Sequence, residues 1–149
     1  MKRTSKIGSL AVMSRVAQVR DVVQRQKLAV ATKDAQRQTE QTERAESQLR
    51  ETWVAMEQST SMPSIDLGRL GWIQDLAAHA DKALDGEKQR KSELDVALLG
   101  EKHEAQLKSY LRDRFAETEA AARMLESKEH DARQLEQAIE AWQSFKGRN

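Results

Sequence analysis

Cysteine is absent from this 149-residue chain, which excludes disulfide staples and thiolate chemistry. Proline occurs once, at Pro63, and aromatic residues make up only 4% of the chain. Hydrophobic residues reach 38%, too few large apolar side chains for a compact α/β domain of this length to offset its chain entropy. No apolar run approaches the roughly 20 residues needed to span a bilayer, so membrane insertion is not expected. The basic opening Met1-Lys2-Arg3-Thr4-Ser5-Lys6 leads into a stretch containing Ser14, Arg15 and Arg20 and lacks the apolar segment of a signal peptide. The expected setting is therefore soluble and cytoplasmic.

Charge is plentiful and nearly balanced. Lys and Arg total 25, Asp and Glu 24, and charged residues form 33% of the chain. Low hydropathy often marks disorder, but the polar residues here are mainly the helix formers Gln, Glu, Lys, Arg and Ala. Such a composition with heptad spacing reads as coiled coil. The expected fold is all-α: one long antiparallel two-helix coiled-coil hairpin over residues 1–149, its second helix longer than its first.

The only cluster of turn residues is Ser59-Thr60-Ser61-Met62-Pro63-Ser64-Ile65-Asp66-Leu67-Gly68. It places helix 1 at about 9–58, a loop at about 59–66 and helix 2 at about 67–145. Either Ser64 or Asp66 is suited to cap the second helix. Ahead of the loop, Leu28, Ala31, Ala35, Gln38, Thr42, Ala45, Leu49, Thr52 and Met56 recur in steps of three and four, the seam of a heptad. Val12, Val16, Val19, Val23 and Val30 follow an offset frame, which predicts a stutter.

After the loop the seam is Leu70, Ile73, Ala77, Ala80, Leu84, Glu87, Lys91, Leu94 and Leu98. A second slip leads to Leu107, Leu111, Arg114, Thr118, Ala121, Leu125, Lys128, Ala132, Leu135, Ile139 and Trp142. Gly86 and Gly100 are expected soft points, each about 1 kcal/mol worse than alanine in a helix.

A turn centred near Pro63 sets Leu10 beside residues near Phe115. About 28 residues of the second arm then lack an intramolecular partner, an overhang of roughly 40 Å at the helical rise. Its apolar stripe (Ala121, Leu125, Ala132, Leu135, Ile139, Trp142) calls for another protein. Residues 1–37 carry nine basic side chains against Asp21 and Asp34, whereas residues 113–141 carry eight acidic ones against four basic. Antiparallel pairing brings these oppositely charged regions to the same end, where they favour one orientation.

No catalytic constellation is present in this pattern. His79, His103 and His130 form no helical metal pair, and the glycines at 68 and 71 belong to no phosphate-binding motif. A two-helix architecture has no concave, water-excluding pocket to tune its carboxylates. No enzyme activity, metal or cofactor is expected. The basic first arm has no aromatic before Trp53 for base stacking and the net charge is +1, so nucleic acid is not an expected partner. Trp53 and Trp72 flank the loop and Trp142 lies near the other end; rigid aromatics near exposed ends are favoured binding anchors.

The stretch Gly68-Arg69-Leu70-Gly71-Trp72-Ile73-Gln74-Asp75-Leu76-Ala77-Ala78-His79-Ala80 resembles the post-loop segment of the FliJ family. These are small coiled-coil proteins of the bacterial flagellar type III export apparatus. The run from Tyr110 to Glu136 is similar to the family's charged, Ala-rich second arm, and the resemblance covers most of the chain. It implies a non-enzymatic stalk and adaptor, cytoplasmic and peripheral to the inner-membrane export apparatus. The implied partners are a hexameric export ATPase, an export-gate membrane protein and export chaperones.

Carried over by position, gate contacts fall on Trp72 and Leu76, with Gln38, Thr42, Ala45 and Leu49 of the first arm. The chain departs from the family there, because Ala45 and Leu49 stand where aromatics are frequent; Trp53 would supply the missing ring. The ATPase-facing end would involve the basic N-terminus and Leu125, Leu135, Ile139 and Trp142. The equivalent stalk of a virulence secretion system and a self-associating structural coiled coil are the alternative readings.

Overall fold

The computed structural model describes the backbone of residues 2–146 and the side chains of residues 6–146. Lys2 and Arg3 of the basic N-terminal group thus have side chains outside the described residues. Two helices account for nearly everything: α1 (Lys2–Thr60) and α2 (Leu67–Lys146). They form an antiparallel hairpin with the second helix the longer, and there is no strand among the described residues. Each helix is somewhat longer than the heptad spacing suggested, most of all at the start of α1.

The chain divides into two compact units, Gln24–Ala105 and Met1–Val23 with Gln106–Asn149. The first contains the loop. Thr60 and Ser61 hydroxyls donate to the Glu57 carbonyl at 2.9 and 2.8 Å, satisfying a carbonyl that the ending helix leaves open. Asp66 Oδ1 accepts from the Gly68 and Arg69 amides at 3.0 and 3.2 Å, and its own carbonyl receives the Leu70 amide at 2.9 Å. Asp66 is therefore the cap of α2, which settles the choice between it and Ser64.

Inside this unit the two arms meet along Leu28, Ala31, Ala35, Gln38, Thr42, Ala45, Leu49, Thr52 and Met56, against Leu70, Ile73, Ala77, Ala80, Leu84, Glu87, Lys91, Leu94 and Leu98. All are buried or half-buried, the stripe that the three-and-four spacing selects. Ile73 and Leu84 are the only large apolar side chains among the described residues that are fully buried. Small residues elsewhere let the backbones approach. α2 passes through Gly86 and Gly100 without interruption, and a Cβ added at either would meet nothing within 4 Å.

Polar rungs cross the apolar seam. Gln38, buried, donates its amide to the Glu87 carboxylate and to the Glu87 carbonyl at 3.2 Å. Gln24, 2% exposed, does the same with the Glu101 carboxylate and its carbonyl at 3.4 Å. The two glutamines lie two heptads apart, as do their two glutamates. A displaced register would strand all four groups, so these rungs select one pairing of the arms.

In the second unit the expected slips do not occur. Ile7, Leu10, Ser14, Ala17 and Asp21 face inward on α1, and Lys108, Arg112, Phe115, Glu119 and Ala122 face inward on α2, all in unbroken steps of three and four. Val12, Val16, Val19 and Val23 are exposed instead, with Val19 at 63%, and so are Leu107 and Leu111. The apolar side chains suggested a change of frame; the helices keep their frame, and the interior accepts polar residues because they pair. Arg112 reaches Asp21 at 2.6 Å across the arms, and Ser14 donates to Glu119.

Candidate functional site: two exposed apolar surfaces

No group of three or more His, Asp or Glu side chains among the described residues is placed to hold a metal. No helix of the described residues is long and apolar enough to cross a membrane. Two apolar patches hold most of the residues expected to bind partners, one in each unit.

Around the loop, Trp53 follows the inward Thr52, Trp72 precedes the inward Ile73, and Leu76 precedes the inward Ala77. One residue beyond the seam is about 100° around a helix, so each side chain is turned out of the interface. Trp72 is 65% exposed, and Trp53 and Leu76 are exposed as well. Trp72 and Leu76, four residues apart, share a face of α2. Met62, Ile65 and Leu67 are also exposed in the loop and at the helix start. Neither of these tryptophans covers the seam.

Gln38 does not belong to this surface. It was expected among the partner-binding residues, but it lies inside the hairpin with its amide committed to Glu87. Thr42 is buried too, and Ala45 and Leu49 are half-buried. The physical reason is that these four hold core positions of the heptad, which antiparallel pairing closes to solvent.

In the other unit, every side chain of residues 130–146 is exposed. This fully uncovered part of α2 extends roughly 25 Å at the helical rise. Residues 123–128 are exposed as well, so with Glu129 alone half-buried the exposed stretch comes close to the overhang that the spacing suggested. Leu135, Ile139 and Trp142 lie on the fully uncovered part, with Leu125 exposed just before it. The Lys146 ammonium stands 4.6 Å over the Trp142 ring, a cation–π contact that orders the indole near the helix end.

The electrostatics of this unit centre on two groups. The Arg112 guanidinium is raised above its ordinary value, chiefly by its hydrogen bond to Asp113 at 2.7 Å, with Asp21 adding to the effect. The Glu119 carboxyl is lowered, first by the Ser14 hydroxyl, then by Arg123 at 2.6 Å and by the field of Arg15, with partial burial acting the other way. Across the arms, Arg112 meets Asp21 and Glu119 meets the Ser14 hydroxyl, polar contacts that tie α1 to α2.

Sequence reasoning missed the polar seam of this unit. The available signal was the frame itself: stepping back from Leu28 by fours and threes reaches Gln24, Asp21, Ala17 and Ser14, and stepping on from Leu98 reaches Glu101, Ala105, Lys108 and Arg112. Asp21 and Arg112, opposite charges in facing core positions, then mark each other. No protein family, curated protein or solved structure matches this chain.

Proposed function

We propose that this protein is a non-enzymatic stalk and adaptor of a bacterial type III export apparatus, of the FliJ kind. The observation that supports this reading best is the pair of separate apolar surfaces on a hairpin too thin to bury them. Trp53, Trp72 and Leu76 form one near the loop, and Leu125, Leu135, Ile139 and Trp142 form the other on the uncovered part of α2. Two separate apolar surfaces, one in each unit, suit a protein that joins two partners.

In this reading the loop-proximal surface binds the export-gate membrane protein. The uncovered part of α2 enters the ring of the hexameric export ATPase, and export chaperones are passed along the assembly. The protein works in the cytoplasm, peripheral to the inner membrane.

Binding and coupling are tested separately. Trp72→Ala is expected to weaken gate binding with helicity intact, since the indole is mostly outside the hairpin. A large loss of the helical circular-dichroism signal would make it a packing residue instead. Shortening α2 to remove residues 130–149 is expected to leave the hairpin folded and to abolish any effect on the ATPase's hydrolysis rate. Full coupling by the shortened chain would remove this reading of the overhang.

A further inference from the structure

We propose that the uncovered part of α2 docks on the valine face of α1 in a second copy of this chain, giving a reciprocal two-fold dimer. Both surfaces belong to the same unit. The pairing occupies the α2 stripe that the function proposed above gives to the ATPase, so the two are alternative occupancies of one surface, and the test below uses neither ATPase nor gate.

The valine face is unusual because the hairpin leaves it out. Val12, Val16, Val19 and Val23 recur at steps of four, three and four, yet all face solvent while Ser14 and Asp21 point inward. Beside them, Met13, Leu111 and Phe115 help to line an open groove of about 320 Å³. On α2 a second stripe, Leu125, Lys128, Ala132, Leu135, Ile139 and Trp142, has the same period and is equally uncovered. Two exposed stripes with a 3.5-residue repeat are the two halves of a coiled-coil seam.

Direction follows from the connectivity. The overhang leaves the hairpin at the N-terminal end of α1. Under two-fold symmetry, a partner's overhang therefore runs along α1 in the same direction, giving a parallel pair. Matching core positions in kind then sets Val16 against Ala132, Val19 against Leu135, and Val23 against Ile139.

The flanking charges argue that the occupant is this chain itself. Arg15 and Arg20 lie immediately beside the valine core positions, and both are exposed. Asp131 and Glu136 occupy the corresponding flanks of the overhang stripe and are also exposed. In the parallel register fixed by the core, Arg15 comes opposite Glu136 and Arg20 opposite Asp131, the cross-pairs that set partner choice in coiled coils. Met13 falls beside Met124 in the same register, so the flanks match in apolar character as well.

Charge exchange provides the test. The full chain should self-associate with increasing concentration in sedimentation equilibrium. A chain carrying Arg15→Glu and Arg20→Glu, and one carrying Asp131→Arg and Glu136→Arg, should each self-associate at least about tenfold more weakly, because both docking contacts then oppose like charges. Mixed in equal amounts, the two chains should form a heterodimer at close to the parent affinity, since every contact is again between opposite charges. That recovery also shows that neither variant has lost its fold.

As a second measurement, chains bearing Val19→Cys and Leu135→Cys, in a sequence with no native cysteine, should form a mixed disulfide on oxidation. A parent chain that stays monomeric to millimolar concentration overturns the proposal. So do variants that associate as well as the parent, or a mixture that fails to pair.

Discussion

Replacing Gln38 by alanine isolates what one polar rung contributes. The side chain is buried and gives its amide to the Glu87 carboxylate and to the Glu87 carbonyl at 3.2 Å. A hydrogen bond to a charged acceptor contributes about 1.5–3 kcal/mol, more than a neutral one. Glu87 also has Arg90 at 3.4 Å, and its side chain is 24% exposed, so the orphaned carboxylate is partly resolvated. The expected loss therefore sits toward the lower end, about 1.5–2 kcal/mol, and lowers the unfolding midpoint by about 3–8 °C for a chain of this size. Thermal unfolding followed by circular dichroism at 222 nm measures it. The double change Gln38→Leu with Glu87→Leu should do the opposite and raise the midpoint, because a fully apolar layer replaces a desolvated polar one. Single and double variants that both unfold at the parent temperature would refute the reasoning, since the rung would then contribute nothing to stability.

Other perturbations have definite expectations. Gly86→Ala and Gly100→Ala each remove a helix-weakening glycine where the added methyl meets open space. Each should raise stability by about 1 kcal/mol, additively because the sites are well separated; a lowered midpoint for either in thermal unfolding would mean that the space is filled. Asp66→Ala removes the acceptor for the Gly68 and Arg69 amides and should cost about 1 kcal/mol, read from urea unfolding. An unchanged urea midpoint would show that water caps the helix as well. Glu119, with its carboxyl lowered mainly by Ser14, binds fewer protons folded than unfolded. Its contribution is therefore fully present above the unfolded value of about 4.3 and disappears as pH falls through the lower folded value. In a carbon-detected carboxyl titration, Ser14→Ala should move Glu119 upward; no movement would assign the effect to the arginines instead.

The two units hold their arms together by different means. Residues 24–105 use an apolar seam with polar rungs that select register. The other unit mixes Ile7, Leu10 and Phe115 with small and charged residues, with Asp21 buried against Arg112. Removing one member of such a pair leaves a charge without its counterpart, which is why a buried pair resists substitution even where it adds little net stability. Keeping the interior polar also leaves the valines for an outside surface. An unpaired apolar stripe and a polar interior are thus two consequences of one frame.

Local chemistry alone carried much of the architecture. The single proline among Ser, Thr, Asp and Gly located the turn, and the three-and-four recurrence from Leu28 to Met56 and from Leu70 to Leu98 named the inward face, because heptad spacing permits only one stripe to meet a partner. Trp72 could be read as outward from its place before Ile73. The contacts between arms decided the remainder. Apolarity in Val12, Val16, Val19 and Val23 argued for a shifted frame, yet Asp21 with Arg112 and Ser14 with Glu119 keep the frame unshifted and turn the valines outward. Gln38 stood on the seam by its spacing and among the gate contacts by resemblance, and it proved to be a rung. In each case the outcome depends on a partner distant along the chain, and a side chain's cost of burial cannot be known until the group facing it is known.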